Sequence, residues 1–359
     1  MPDGRNRFTA TTCDHRFASG ERPQVCVTNL NEDDLTFART ITVGMPVYNA
    51  MPYLQETMES LLRQTWPHFE ILAIVDGGSD RSLAYLESIH DPRLRILTQE
   101  NQGVTATLNR MLRECNSPWL VRQDADDISH PKRMERIFEN IQRHPQAGMF
   151  YSLANYHPKG RAVGSFRCSR GSPHTLRKIV SSGYLLAICH STAVLNVAKT
   201  LALGGYRVGL HNEDADLWWR MALHYDIHCI PEKLVGFRQT PVSVSALNLA
   251  DQFVAGLYVQ YLLLSHLWER TPQPISQIRH ALEEFVPQKE FTAKQKLRSF
   301  NMNLVSRNYL NAVFHFADAL KTSPGYVLRR LFDERFASRS IRNGIQPRLY
   351  LKRKEALWS

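Results

Sequence analysis

Two acidic clusters, fifty residues apart, carry the clearest chemistry in this chain. Asp76 lies in the segment VDGGSD (75–80) and Asp126 in the segment DADD (124–127), each directly after a short apolar run. In an open α/β sheet, the carboxyl ends of adjacent strands border one crevice, and ligands bind there. The spacing therefore predicts a nucleotide site that works with a divalent metal.

A divalent cation is the expected ligand of the second cluster. Mg²⁺ and Mn²⁺ prefer oxygen and are usually held by one or two carboxylates together with phosphate oxygens and water. Asp124 and Asp126 fit that role, and the alternative is that one acid of this cluster caps the helix beginning near Pro131. Capping accounts for one of the acids but not for three beside a strand end. Asp76 has an alternative too, because Asp-Gly-Gly-Ser is good turn chemistry without any ligand.

A second Asp-x-Asp pattern, at Asp214 and Asp216, opens a helix-like run at 217–223. A carboxylate at a helix start offsets unpaired backbone amides, so the residues alone favour capping over catalysis for Asp214. Spacing does not decide between the two roles.

Four aromatic side chains near these acids have both a functional and a structural interpretation. His190 and His211 are candidates for contact with a metal or a substrate, although a lone His is more often structural. Trp218 and Trp219 are candidates for stacking on a ring of the substrate, with core packing expected for at least one of them.

The elements that must position these residues alternate between strand and helix from residue 41 onward. Apolar runs followed by helical spacing predict four βα units and therefore a parallel sheet covered by helices. The predicted strands are 41–46, 69–75, 94–97 and 119–121, and the predicted helices are 54–62, 83–89, 104–115 and 134–141.

The rest of the chain is less regular. After Gly148 we expect a mixed half with strand-like runs at 149–153 and 185–195, and from about residue 252 helical periodicity dominates. The predicted organisation is an irregular extension over 1–40, an α/β domain over 41–250 with halves 41–145 and 146–250, and a helical, basic region over 251–359.

Composition limits the class of protein. The hydrophobic content of 43% is ordinary for a globular chain, and the six cysteines show no Cys-x-x-Cys spacing, which fits a reducing cytoplasm. No secretion signal is visible, and the apolar run at 253–264 is too short to span a bilayer, so it predicts a buried helix.

The net charge of +10 is concentrated at the carboxyl end. Residues 321–359 contain ten Lys and Arg against three acids, a net charge of +7, with aromatic and aliphatic residues between them. This pattern fits a peripheral contact with the inner face of an anionic membrane or, equally, a solvated basic surface. Nucleic-acid binding by the tail is a further alternative. The sequence contains no recognised nucleic-acid-binding motif, so we do not expect nucleic acid as a partner.

Read in order, the motifs resemble the inverting nucleotide-sugar glycosyltransferases of family 2, which have the GT-A fold. The resemblance covers roughly residues 41–245 and rests on the order of its parts. These are TVGMPVYN (42–49), LLRQTW (61–66), FEILAIVDGGSD (69–80), NQGV (101–104) with Asn109, QDADD (123–127) and NEDADLW (212–218).

The resemblance implies a role for each matching residue. Pro46, Val47 and Tyr48 would form a wall of the nucleotide pocket, and Asp76 would accept a hydrogen bond from the base. The remaining implied roles are donor contact by Asn109, Asp124 and Ala125, binding of Mn²⁺ or Mg²⁺ by Asp126 with Asp124, and general-base catalysis by Asp214.

The implied reaction transfers one sugar from a nucleotide diphosphate sugar, with a UDP-sugar favoured, to a glycan or lipid-linked acceptor in cell-surface polysaccharide synthesis. This chain has Val75 where the family usually has the first of two acids, and Gly78 where serine is common. The Gln-x-x-Arg-Trp signature of processive synthases is absent after Asp214. A sugar nucleotidyltransferase is the alternative enzyme, but the segment PVYNA (46–50) lacks the glycine-rich, basic phosphate loop that such an enzyme needs.

Overall fold

A mixed eight-stranded sheet forms the centre of the molecule. The computed structural model describes residues 41–157, 166, 168–238, 249–285 and 288–336. Within them the strands are β1 (Ile41–Val47), β2 (Phe69–Asp76), β3 (Leu94–Gln99), β4 (Trp119–Arg122), β5 (Ile128–Ser129), β6 (Met149–Tyr156), β7 (Ala193–Asn196) and β8 (Ile227–Phe237).

The strand order is β3-β2-β1-β4-β7-β6-β8-β5. The first four strands in this order pair in parallel, β7 is antiparallel to both of its neighbours, and β8 is parallel to β6. Strand order therefore reverses at β1, with β2 on one side and β4 on the other. That switch point is where an open α/β sheet leaves a crevice at its carboxyl edge.

Helices cover both faces of this sheet. They are α1 (Tyr53–Leu62), α2 (Ser82–Glu87), α3 (Val104–Glu114), α4 (Arg133–Arg143), α5 (Pro173–Ser181), α6 (Val197–Ala202), α7 (Glu213–His224), α8 (Leu249–Leu267), α9 (Ile275–Glu283), α10 (Gln288–Val305), α11 (Tyr309–Thr322) and α12 (Pro324–Phe336). Alternate residues of β2 enter different cores: Leu72 packs on one side of the sheet, and Ile71 on the other. Burial on both faces explains why the parallel strands read as continuous apolar runs.

The four βα units predicted from the sequence are confirmed, with small shifts at their ends. The strand-like run at 185–195 was wrong in extent, since only Ala193–Asn196 is a strand and His190–Thr192 forms a 3₁₀ turn. Leu186 and Ile188 are buried in the core without pairing in the sheet, so an apolar run produced the pattern of a buried strand. The predicted extension over 1–40 lies outside the described residues.

The apolar run at 253–264 lies inside α8, which is buried against α7 in the main core, as predicted. Packing of the sheet domain therefore continues past residue 250. A separate small core joins α10, α11 and α12 through Ala293, Ala319 and Val327. Within the described ranges, every helix falls short of the length or apolarity that a bilayer-spanning segment requires.

Candidate active site

The carboxyl end of β2 presents a buried carboxylate. One oxygen of Asp76, Oδ1, accepts hydrogen bonds from Gln99 Nε2 at 2.7 Å and from the backbone N–H of Gln102 at 2.8 Å. No hydrogen bond from the described residues reaches its other oxygen. The contacts fix the orientation of Asp76 and leave one acceptor for a ligand.

The turn after Asp76 requires glycine. Gly77 and Gly78 have φ values of 72° and 106°, in the region that disfavours residues with a Cβ. A Cβ on Gly78 would also lie 2.7 Å from Oδ1 of Asn49. That oxygen accepts a hydrogen bond from the backbone N–H of Ser79 at 2.8 Å. This turn therefore packs directly on the loop after β1, and a side chain at position 78 would clash with Asn49.

The three residues expected to form a pocket wall differ in exposure. Val47 is fully buried in the core, Pro46 is half-buried and the Tyr48 ring is 54% exposed. Tyr48 is therefore the member of this set whose ring is free to stack on a planar base.

A buried cation organises the end of β4. Nη2 of Arg122 lies 2.5 Å from Oδ1 of Asp124, and Nη1 donates to the carbonyl of Gln123 at 3.0 Å. Burial raises the pKa of Asp124, but the charge of Arg122 and the neighbouring hydrogen-bond donors together outweigh this effect and hold the pKa below its ordinary value. Asp124 is therefore an ionised partner of Arg122.

Ser191 connects two acids of the cluster. Its Oγ is 2.5 Å from Oδ2 of Asp124 and within hydrogen-bond distance of Oδ2 of Asp127. A hydroxyl has one proton to donate, so the second contact requires a proton on a carboxyl group. Burial and the nearby charges of Asp124 and Asp126 raise the pKa of Asp127 well above its ordinary value. Asp127 is thus the protonated member, which donates to Ser191, and Ser191 donates to Asp124.

Asp126 is the acid of the cluster with unused oxygens. The described residues offer its carboxylate no ion pair and no side-chain donor, whereas the oxygens of Asp124 and Asp127 are occupied. Burial, followed by the charge of Asp124, raises the pKa of Asp126 to about 6. Among the described residues no three His, Cys, Asp or Glu side chains gather into a metal cage. A cation held here would need ligand oxygens as well, which is the usual arrangement for Mg²⁺ and Mn²⁺.

Arg238, at the end of β8, fixes the loop that carries Asp126. Its Nε donates to the carbonyl of Asp126 at 2.7 Å, and its Nη2 pairs with Oε2 of Glu56 on α1 at 2.5 Å. Its backbone N–H donates to Oδ1 of Asp127 at 2.8 Å. The position of the free carboxylate therefore depends on contacts from two distant parts of the chain.

His190 lies between the strand end and α7. Its Nε2 is 3.2 Å from Nε of Arg122, which always donates, and 3.0 Å from the hydroxyl of Tyr206. Nε2 must therefore be the unprotonated nitrogen, and the neutral ring carries its proton on Nδ1, which lies 3.9 Å from Oε1 of Glu213. Burial and the charge of Arg122 lower the pKa of His190 to about 3, so the ring is neutral at physiological pH.

Two acids occupy the amino terminus of α7. Oδ1 of Asp214 accepts a hydrogen bond from the backbone N–H of Ala215 at 2.7 Å, so the carboxylate contacts the first helical turn, and no side chain among the described residues donates to it. Burial raises the pKa of Asp214 to about 6, and burial together with Asp214 raises that of Glu213 to about 8. At pH 7 Asp214 is mostly ionised and Glu213 mostly protonated. Asp214 therefore has the charge and the tuning that a general base requires.

Asp216 serves a different purpose. It is fully buried and pairs with Arg207 at 2.9 Å and with Arg220 at 2.7 Å, and it also accepts from Trp219 Nε1 at 3.1 Å. Arg220 in turn donates to the carbonyl of Gly205 at 2.8 Å. The second acid of this Asp-x-Asp pattern is the centre of a structural network.

We expect Asp216→Asn to lower the free energy of unfolding by about 3–5 kcal/mol, because the buried cation Arg220 loses its anion and the exposed Arg207 loses its partner. Chemical denaturation measures this loss. The matched control is Asp226→Asn, which weakens a solvent-exposed pair with Arg177 and should cost less than about 1 kcal/mol. Equal losses in the two variants would contradict a special role for Asp216.

Asn109 connects the two halves of the domain. Its Nδ2 donates to the carbonyl of Tyr206 at 2.8 Å, and its Oδ1 accepts from the N–H of Tyr206 at 2.9 Å. This clamp holds the residue whose hydroxyl reaches His190. The predicted contact of Asn109 with a donor stays a prediction.

Both tryptophans of α7 are buried, in line with core packing. The rings of Trp218 and His190 are nearly perpendicular, with their centroids 5.8 Å apart, so Trp218 packs against His190. His211 is exposed, away from these contacts.

Sequence reasoning missed Arg122, Tyr206, Glu213 and Arg238 as members of the site. Arg122 stands next to the motif at 123–127 and Glu213 lies within the motif at 212–218, so their positions were an available signal. Tyr206 and Arg238 reach the site only through tertiary packing, for which no local pattern exists.

Comparison with known proteins places this arrangement in a class. The fold is similar to that of residues 1–349 of TarS from S. aureus, solved in complex with UDP-GlcNAc, with a TM-score of 0.52 and 15% identity over 80% of this chain and 82% of that one. The sheet and its flanking helices are those of a GT-A fold.

Residues 42–197 match the model of glycosyl transferase family 2, so this segment of the chain is a domain of that family. The O-antigen biosynthesis glycosyltransferase WbnJ of Escherichia coli is 26% identical over half of this chain and 71% of its own length. The glycosyltransferase GlyG of Streptococcus pneumoniae is 30% identical over 35% of this chain. The match spans less than two thirds of the length of three relatives: 66% of the putative glycosyltransferase EpsE of Bacillus subtilis, 33% of an uncharacterized glycosyltransferase of Haemophilus influenzae and 42% of GlyG.

Proposed function

We propose that this protein is an inverting, metal-dependent glycosyltransferase that moves one sugar from a nucleotide diphosphate sugar to an acceptor hydroxyl. The observation that carries the proposal is the different bonding of four acids. Asp124 and Asp127 are hydrogen-bonded within the protein, whereas no side chain among the described residues donates to Asp126 or Asp214, which leaves both available for substrates.

On the donor side, Asp76 and Tyr48 would receive the base, and Asn109, Asp124 and Ala125 would border the sugar diphosphate. Asp126 would hold Mn²⁺ or Mg²⁺, with Asp124 beside it as the partner of Arg122. Asp124 would have to release Arg122 before it could bind a cation, so we assign the first ligand to Asp126. When bound, the cation would neutralise charge on the diphosphate and orient it.

On the acceptor side, Asp214 would accept the proton of the attacking hydroxyl. The acceptor oxygen then bonds to the anomeric carbon while the bond from that carbon to the diphosphate oxygen breaks, and its electron pair leaves with the nucleoside diphosphate. Direct displacement inverts the anomeric centre without a covalent enzyme intermediate. Neutral His190 and Glu213 would keep further charge away from Asp214.

We favour a UDP-sugar as donor and a glycan or lipid-linked acceptor at the inner face of the membrane, in cell-surface polysaccharide synthesis. The similarity to WbnJ supports the pathway, and the similarity to TarS is one of fold.

A panel of nucleotide sugars tests the proposal. With Mn²⁺ present, we expect slow hydrolysis of at least one UDP-sugar and thermal stabilisation by it. If no nucleotide sugar were hydrolysed and none stabilised the protein, the proposal would be overturned. Release of pyrophosphate from a nucleoside triphosphate and a sugar phosphate would instead show a nucleotidyltransferase.

Asp76→Asn should raise KM for the UDP-sugar by about tenfold or more, with kcat little changed. The amide oxygen can keep the contacts with Gln99 and Gln102. The amide NH₂ group would then face the N–H group of the base, and two hydrogen-bond donors cannot bond to each other. Steady-state kinetics separates the two constants. An unchanged KM would exclude Asp76 from base recognition.

A further inference from the structure

Helix α11 exposes most of its large apolar side chains. Toward α10 it presents Ala312, Phe316 and Ala319, with the ring of Phe316 5.2 Å from that of Phe300. On the opposite side Leu310 is 88% exposed, and Val313 and Phe314 are each 67% exposed. An ordinary surface helix has the reverse arrangement, with its large apolar residues inward.

The exposed residues form one continuous surface, which we call the α11 face. At 3.6 residues per turn its members cover an arc of about 140° of the helix. They are Tyr309, Leu310, Val313, Phe314, Ala317 and Leu320, all exposed. A contiguous apolar surface of this kind marks a site of association rather than scattered surface residues.

Positive charge borders the α11 face at both ends. Arg307 precedes the helix and Lys321 lies in its last turn, and neither has an ion-pair partner among the described residues. The one acid on α11, Asp318, points to the packed side and pairs with Lys296 at 2.8 Å. The surface is therefore apolar in the middle and cationic at its ends, about 20 Å apart.

We propose that the α11 face docks on an anionic membrane surface, lying flat at the level of the headgroups. Apolar side chains enter the boundary of the acyl chains, and bordering cations meet anionic headgroups, as in interfacial helices. The sequence adds to the attraction, since residues 321–359 have a net charge of +7.

Charge favours this occupant over a second copy of the chain. In an antiparallel pairing of two α11 helices, Arg307 of one copy would lie beside Lys321 of the other. In a parallel pairing each cation would lie beside its equivalent. Both arrangements place like charges together, whereas an anionic bilayer pairs them with opposite charge.

Vesicle flotation of the full chain tests this inference independently of catalysis. We expect binding to vesicles of phosphatidylcholine mixed with phosphatidylglycerol, weakening with salt, and little binding to phosphatidylcholine alone. The double variant Leu310→Ser/Phe314→Ser should bind at least about tenfold more weakly. Arg307→Gln and Lys321→Gln should each weaken binding by about fivefold.

The variants change exposed positions, so their folding should be unaffected, and thermal melting checks this. The matched control is Leu201→Ser, at an exposed leucine on α6, which should float like the unmodified protein. Hydrolysis of the nucleotide sugar should be the same in the double variant and the unmodified protein. A failure of membrane docking is therefore distinguishable from a failure of the proposed reaction.

Two results would overturn the inference. One is the absence of flotation with anionic vesicles, or flotation that the double variant leaves unchanged. The other is concentration-dependent self-association that the double variant abolishes while vesicle binding is lacking, which would assign the α11 face to a second copy of the chain.

Discussion

Asp214→Asn is expected to lower kcat by about 10² to 10⁴-fold, the range lost when a positioned general base is removed. The amide keeps the size of the side chain and can still accept the hydrogen bond from Ala215 through its oxygen, so folding should be preserved. KM for the donor should change little, because Asp214 is assigned to the acceptor. Initial rates of sugar transfer with saturating donor measure the effect.

The neighbouring acid supplies the control. Glu213 is mostly protonated at pH 7, since its pKa is raised to about 8, and glutamine resembles that neutral form. Glu213→Gln should therefore retain kcat within about a factor of ten. If Glu213→Gln were as damaging as Asp214→Asn, the base would have been assigned to the wrong acid.

The pH profile gives a second check on Asp214. A base works only when unprotonated, and burial raises the pKa of Asp214 to about 6. At saturating Mn²⁺, kcat/KM should therefore rise with pH between about 5 and 7, and the residual activity of Asp214→Asn should lack this rise. A profile that falls over this interval would contradict the assignment.

Asp126→Ala is expected to reduce kcat/KM by at least about 10²-fold, because the cation supplies several kcal/mol of charge stabilisation. Its carboxylate has no ion pair within the described part of the chain, so its loss should leave the melting temperature nearly unchanged. Activity titrated against Mn²⁺ measures the effect. A variant with full activity and the original Mn²⁺ dependence would remove Asp126 from the metal site.

Local pattern predicted the first half of the fold well. Strands β1, β2 and β4 are buried on both faces and read as apolar runs, and each is followed by helical spacing. The run at 185–195 misled because its core burial comes from packing beside the sheet, which a sequence cannot separate from pairing within it.

The candidate site was predictable in its acids but not in their roles. Asp124, Asp126 and Asp127 lie within four residues of one another, yet Asp124 pairs with Arg122, Asp126 has no ion pair among the described residues, and the pKa of Asp127 is raised well above its ordinary value. These differences arise from Ser191 and Arg238, which are remote in sequence. For Asp214 the contact with the helix backbone fits the capping role, and the general-base role stays a prediction.

Calorimetric titration of UDP, with and without Mn²⁺, tests the central assignment most directly. In the unmodified protein and in Asp214→Asn, Mn²⁺ should tighten UDP binding, because the ion joins the diphosphate to Asp126. In Asp126→Ala that gain should vanish while weak, metal-independent binding through Asp76 and Tyr48 persists. A gain that survives in Asp126→Ala, or disappears in Asp214→Asn, would contradict the assignment of Asp126 as a metal ligand and Asp214 as a base.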